Sequence, residues 1–86
     1  MMPPEKTYAE ELEQLRQLLQ ERLDVIADHA FRERDAAGHL NRLREVSEAI
    51  AAIQERCRGA LPPRLAHYLE RASYQKALAY LEGAEG

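Results

Sequence analysis

Apolar residues recur at helical spacing through the first third of the chain. They follow one another at intervals of three and four residues: Tyr8, Leu12, Leu15, Leu19, Leu23, Ile26 and Ala30. This period places them on one side of an α-helix, and Leu18 and Val25 widen that side. The pattern predicts an amphipathic first helix with a broad buried face, over about residues 7–34.

The start of this helix is predicted from Thr7-Tyr8-Ala9-Glu10, which has the form of a capping box. In that motif the hydroxyl accepts a hydrogen bond from the amide three residues later, and the acidic side chain reaches back to the first amide. We therefore expect residues 1–6 to be a flexible tail and residues 7–83 to form a single helical domain.

The apolar pattern fades between His29 and His39. Gly38 suits a left-handed turn conformation and Asp35 suits the N-cap of a new helix, so we predict a tight turn at residues 35–39. The alternative is one unbroken helix, in which apolar residues keep a single seven-residue phase: Leu15, Ala36, Leu43, Ile50 and Cys57. The pattern alone leaves both interpretations open.

The second helix, over about residues 38–58, has the clearest pattern. Its apolar residues form a heptad seam: Leu40, Leu43, Val46, Ile50, Ile53 and Cys57. Such a seam is typical of helices that pack against a partner helix. We therefore predict that Leu43, Val46, Ile50 and Ile53 contribute to the interface of a homodimer.

The third helix, over about residues 62–82, has apolar residues on two sides. Leu65 and Leu69 share one side, while Tyr74, Leu78 and Leu81 lie roughly opposite. One packed hairpin cannot cover both sides of a straight helix. We predict that Tyr74, Leu78 and Leu81 contact a second copy or another protein. The alternative is that the chain bends at Ser73 and returns them to the same core.

The composition favours an all-α fold. The chain has 86 residues, which suits one domain, with fourteen Ala and twelve Leu against two Val and three Ile. We predict a long antiparallel helical hairpin with a shorter C-terminal helix, resembling a three-helix bundle. A chain this short buries limited surface alone, so a dimer is the expected assembly.

Charge and the absence of long apolar runs limit the cellular compartment and the kinds of partner that we expect. The formal net charge is −3, and nucleic-acid binding would call for a denser positive surface. No apolar run is long enough for a membrane span or a signal peptide, so we expect a cytoplasmic protein that does not enter the membrane. The one cysteine, Cys57, lies on the heptad seam, where we expect a buried thiol without a catalytic role.

Four residues near the predicted turn could in principle bind a metal. His29 and Glu33 are four residues apart, as are Asp35 and His39, and His with carboxylates can bind zinc, iron or manganese. The same spacing is typical of ordinary pairing on a helix surface, which is the interpretation we favour. We therefore predict no metal and no cofactor.

One short segment suggests an enzyme. Leu12-Glu13-Gln14-Leu15-Arg16, near the start of a long first helix, is similar to the start of the small all-helical chorismate mutases. The similarity covers about one and a half turns, and Gln17-Leu18-Leu19-Gln20 follows where acidic Ile-Asp repeats are expected. It implies a dimeric helical bundle in which basic side chains bind a small anionic substrate.

The function that we predict is a small non-catalytic interaction or regulatory module, acting through contacts with a second copy or an unidentified protein. The chorismate-mutase-like enzyme is the first alternative. A further alternative is helix-turn-helix DNA binding through residues 65–82, with Tyr74 to Leu81 as the reading helix. The enzyme needs arginines in a cleft without acidic partners, the DNA-binding protein needs a positive face at residues 74–76, and the interaction module needs an exposed apolar patch.

Overall fold

The described part of the chain is all-helical. The computed structural model describes residues 4–83, with side chains from Ala9 onward. These residues form five helices and no strand: α1 (Pro4–Ala27), α2 (His29–Arg34), α3 (Ala36–Arg56), α4 (Pro63–Glu70) and α5 (Tyr74–Leu81). The all-α prediction is confirmed.

The first helix begins earlier than the capping box suggested. Its backbone is already helical at Pro4, three residues before Thr7. Proline is tolerated in the first turn of a helix because the amides there have no intrahelical acceptor. The side chains of Thr7 and Tyr8, and residues 1–3 of the predicted tail, lie outside the described residues.

Two aspartates divide the chain between α1 and α3. The Asp28 carboxylate accepts a hydrogen bond of 3.1 Å from the amide of Phe31 and caps α2. The Asp35 carboxylate accepts one of 2.9 Å from the amide of Gly38 and caps α3. The unbroken helix is therefore wrong, and the predicted cap at Asp35 is confirmed. The connection is longer than the expected tight turn, because α2 lies between the two caps.

Gly38 has a different role from the one expected. It lies inside the first turn of α3 and is not among the glycines with positive φ, which are Gly59 and Gly83. A Cβ atom at this position would lie 2.8 Å from Cγ of Asp35. The missing side chain thus makes room for the capping carboxylate, and the predicted left-handed turn is wrong.

Contacts between α1 and α3 run in opposite directions along the two sequences. His39 meets Val25 at one end, Arg42 pairs with Glu21, and Arg56 pairs with Glu11 over 2.6 Å at the other end. Later residues of α3 therefore face earlier residues of α1. Exposed ion pairs of this kind contribute little stability each, so they show the register of the two helices without accounting for its stability.

Most of the heptad seam of α3 is filled from within the chain, while Leu40 at its start is 58% exposed. The core draws on four of the helices and on Cys57 just beyond α3: Leu15, Leu19, Val46, Ile50, Ile53, Cys57, Leu65, Leu69, Ala77 and Leu78. Val46, Ile50 and Ile53 are at most 2% exposed. Of the four residues predicted to form a dimer interface, Leu43 alone remains half-buried. A second copy could not reach the other three without opening the core.

The chain bends between α4 and α5. The Ser73 amide donates to the Tyr68 carbonyl at 2.8 Å and the Ala72 amide donates to the Leu69 carbonyl at 3.1 Å, while Ala72 has φ +58°. This is a Schellman motif, which ends a helix with a left-handed residue. The bend returns Leu78, 5% exposed, to the common core.

The bend also decides between the two interpretations of the C-terminal segment. Leu78 is buried in the core, and Tyr74 and Leu81 are half-buried and pack against it. The alternative, a bend near Ser73, describes this chain. The expectation that Leu78 contacts a partner is therefore corrected, whereas Tyr74 and Leu81 keep part of their side chains exposed and stay candidate contact residues.

Candidate functional site

The four candidate metal ligands do not form a site. Asp35 caps α3, His39 is buried at 7% exposure, and His29 and Glu33 are exposed. Within the described residues, no group of three or more His, Cys, Asp or Glu side chains is close enough to hold a metal ion. Two of the four residues therefore have structural roles that the sequence spacing did not reveal.

His39 joins three helices at one end of the molecule. Its Nε2 atom lies 2.7 Å from the carbonyl oxygen of Val25 in the last turn of α1. Because a carbonyl oxygen only accepts hydrogen bonds, Nε2 is the nitrogen that carries the proton. The ring of Phe31 in α2 meets the imidazole edge-on, with centroids 5.4 Å apart.

Cys57 is a core residue. It is 6% exposed, as the heptad position predicted. Burial raises the pKa of the thiol above its ordinary value, and the nearby carboxylate of Glu11 raises it further, while Arg56 opposes both. Since the thiolate is the reactive form, the environment of Cys57 is unfavourable for a nucleophile.

Most arginines that form ion pairs do so with neighbouring acids. Arg16 binds Glu13 at 2.7 Å and Arg58 binds Glu55 at 2.6 Å; these hydrogen bonds lower the pKa of both carboxyls. Arg42 and Arg56 pair with acids of α1. Their charge is therefore largely compensated before any ligand arrives.

Arg22 is different. It lies on the apolar side of α1, between Leu19 and Ile26 and next to Leu23. Its guanidinium carbon lies 4.5 Å from the centre of the Tyr74 ring. Among the described residues, its Nε atom is a buried side-chain nitrogen without a hydrogen-bond partner. Arg22 was not among the candidate residues predicted from the sequence, although it lies three residues after Leu19 and four before Ile26, on the apolar side of the helix.

Arg22 lines an open groove between the end of α1 and the start of α5. We call it the Arg22 groove; its volume is about 380 Å³ and its lining residues are Arg22, Leu23, Ile26, Ala72, Ser73, Tyr74, Gln75 and Lys76. Two of these side chains are cationic and none is acidic. Ile26 is 40% exposed, which is unusual for a large apolar residue of this chain. The groove thus combines positive charge with accessible apolar surface.

Two features that disfavour folding meet in this groove. A buried donor without an acceptor costs roughly 1–3 kcal/mol, and Nε of Arg22 is such a donor. A left-handed conformation costs an L-residue about 1–2 kcal/mol, and Ala72 adopts it where a Schellman motif usually has glycine. Local strain of this kind tends to lie at functional sites.

A second groove of about 400 Å³ lies between α1 and α3. Ala49 and Ala52 line it, and its charged residues include Glu21 and Arg56. Glu21 already pairs with Arg42, and Arg56 with Glu11. It therefore offers less uncompensated charge to a ligand than the Arg22 groove.

Comparison with models of known protein families, with curated proteins and with solved structures gave no match for this chain. The similarity of residues 12–16 to chorismate mutases therefore stands on those residues alone. None of the helices within residues 4–83 has the length and apolar character to cross a membrane.

Proposed function

We propose that this chain is a small, non-catalytic helical module that acts through protein–protein contacts, and that the Arg22 groove is its contact surface. The observation that carries the proposal is the position of Arg22, a charged residue in the apolar stripe of α1 whose buried Nε has no partner. An apolar side chain of similar length would fill the same space without that cost, so the fold alone gives no reason for an arginine here.

The surroundings of Arg22 suit protein recognition. Arginine and tyrosine are enriched among the residues that dominate binding energy at interfaces, and here they are stacked on one another. Leu23 and Ile26 add apolar surface beside the stack. Stacking also holds the guanidinium in place before a partner binds, which lowers the entropy lost on binding.

Catalysis and DNA binding have less support. The enzyme alternative calls for two or more arginines in a protected cleft, whereas the Arg22 groove is open and Arg22 is the one arginine among its lining residues. Helices α4 and α5 are separated by three residues, as in a helix-turn-helix, but α5 exposes Lys76 and is followed by the exposed Glu82. One base and one acid give a weak positive face for a phosphate backbone.

The homodimer remains a proposal, but its interface has to be formed by residues outside the buried seam of α3. Val46, Ile50 and Ile53 fill the core of the chain itself. A second copy would therefore bind through other residues. Sedimentation of the wild type at several concentrations measures this self-association.

The proposed function is tested by comparing three immobilised proteins: the wild type, Arg22→Met and Arg44→Met. Arg44 is an exposed arginine of α3 and serves as the matched control. We expect a protein in lysate of the source cells to be retained by the wild type and by Arg44→Met, and to be lost with Arg22→Met. Retention of the same proteins by all three, or retention of none, contradicts the proposal.

A further inference from the structure

We infer that the occupant of the Arg22 groove is an acidic peptide segment of another protein: a Glu or Asp side chain of the partner binds between Arg22 and Lys76, and a neighbouring apolar side chain lies on Leu23 and Ile26. This inference rests on the proposed function and names the kind of partner that the groove fits.

Positive charge without an internal partner is concentrated in the Arg22 groove. The chain has a net charge of −3, and four of its arginines pair with its own acids: Arg16, Arg42, Arg56 and Arg58. None of the ion pairs found among residues 9–83 includes Arg22 or Lys76, and the groove lining holds no carboxylate. The groove is thus a local positive site on an acidic chain, and it complements a negatively charged segment.

The orientation of the guanidinium determines which of its nitrogens a ligand can reach. The guanidinium carbon of Arg22 lies over the ring of Tyr74, and Nε is closed off from solvent. The donors left for a ligand in the groove are the two terminal nitrogens at the edge of the guanidinium plane. A carboxylate is planar and binds such an edge through two parallel hydrogen bonds. A carboxylate in the groove is thus proposed to bind Arg22 through its terminal nitrogens, with the Tyr74 ring beside the guanidinium carbon.

Apolar surface in the groove favours a peptide over a free anion or a nucleic acid. Leu23 and the 40% exposed Ile26 line the same groove as the two cations. A small inorganic anion would leave this apolar surface in water, whereas a peptide covers it with its next side chain. A nucleic acid would bring a row of phosphates, for which two cations are too few.

The experiment uses the ¹⁵N-labelled full chain and two capped, amidated decapeptides, one alternating Glu and Leu and the other alternating Gln and Leu. We expect the Glu peptide to shift the amide signals of residues 22–26 and 72–76. The Gln peptide should bind at least about tenfold more weakly, which corresponds to about 1.4 kcal/mol. Equal binding of the two peptides, or shifts confined to other helices, would overturn the inference.

Variants test which side chains bind the carboxylate. Arg22→Met should abolish the shifts, and Lys76→Gln should weaken binding severalfold, while Arg44→Met should bind like the wild type. Since Lys76 is exposed, its replacement tests the inference without disturbing the core. Arg22→Met should also melt at a higher temperature than the wild type, because it removes an unpaired buried donor. Loss of peptide binding by Arg22→Met could then not be attributed to unfolding of the variant.

Other occupants give different results. Shifts of the same amides by inorganic phosphate, at concentrations where the Glu peptide also acts, would assign the groove to phosphate and overturn the inference. If the same amide signals shift with protein concentration in the absence of peptide, the groove binds a second copy, and the inference is likewise overturned. A partner from lysate that requires Arg22, combined with equal binding of both peptides, would leave the proposed function standing and remove the acidic-peptide inference alone.

Discussion

His39 donates a hydrogen bond to the carbonyl oxygen of Val25 over 2.7 Å and thereby fastens the start of α3 to the last turn of α1. The last carbonyl groups of a helix lack the usual partner four residues later; the Val25 carbonyl accepts a 3.2 Å hydrogen bond from the Asp28 amide, and the His39 ring adds a second, shorter one. A histidine whose sequence spacing suggested a metal ligand is here part of the helix connection.

Replacing His39 by alanine should destabilise the fold by about 1–3 kcal/mol, because it removes a buried ring and a partly buried hydrogen bond. The matched control is His29→Ala, at the exposed first residue of α2, which should change the stability by less than about 0.5 kcal/mol. Urea unfolding followed by circular dichroism measures both. Equal effects of the two replacements would contradict the role given to His39.

The cap of α3 predicts a coupling between Asp35 and Gly38. In the wild type, Asp35→Ala should lower the free energy of unfolding by about 1 kcal/mol because it removes an N-cap acceptor. In a Gly38→Ala background the new Cβ atom displaces the carboxylate, so that the same replacement should cost much less. A double-mutant cycle by urea unfolding measures the difference. Additive effects would show that the carboxylate keeps its cap despite the methyl group.

The left-handed Ala72 predicts a stabilising replacement. Ala72→Gly should raise the free energy of unfolding by roughly 0.5–1 kcal/mol, because relief of the left-handed strain outweighs the greater freedom of the unfolded chain. Ala51→Gly is the control, since Ala51 is exposed inside α3 and glycine there should lower stability by about 0.5–1 kcal/mol. Thermal melting should therefore show shifts of opposite sign. A destabilising Ala72→Gly would mean that the Cβ atom makes a favourable contact.

Periodicity determined which faces of the helices are apolar, and the structure buries most of those faces, although Ile26 and Leu40 remain exposed. It could not determine what covers them. The seam of α3 has the same spacing whether its partner is α1 of the same chain or a second copy, and Val46, Ile50 and Ile53 turned out to meet the former. A bend near Ser73 was one of the two predicted alternatives. The sequence did not show that Ala72 is left-handed, because a glycine, the usual signal of that conformation, is absent at this position.

The candidate site was harder to predict than the fold. Asp35 was recognisable as a cap because it precedes a helical pattern. Asp28 was not, because it lies within residues 7–34, where the pattern predicted one continuous helix. Arg22 and Tyr74 are 52 positions apart in the sequence, and their stacking depends on the bend that orients α5. Composition and spacing carry no information on such a contact. The one local signal was the charge at position 22 within an apolar stripe.

The core position of Ile50 gives the last prediction, which separates a buried seam from a dimer interface. Ile50 is 1% exposed, so Ile50→Asp places an unpaired carboxylate in the core and should unfold the chain, with loss of helical circular dichroism at every protein concentration. Ala51→Asp, on the exposed side of the same turn, should leave the helical signal nearly unchanged. Sedimentation of the wild type at several concentrations measures self-association independently. If Ile50→Asp instead gave a folded monomer from a wild-type dimer, the seam would be an interface between copies, and the packing of α1 against Ile50 described above would be wrong.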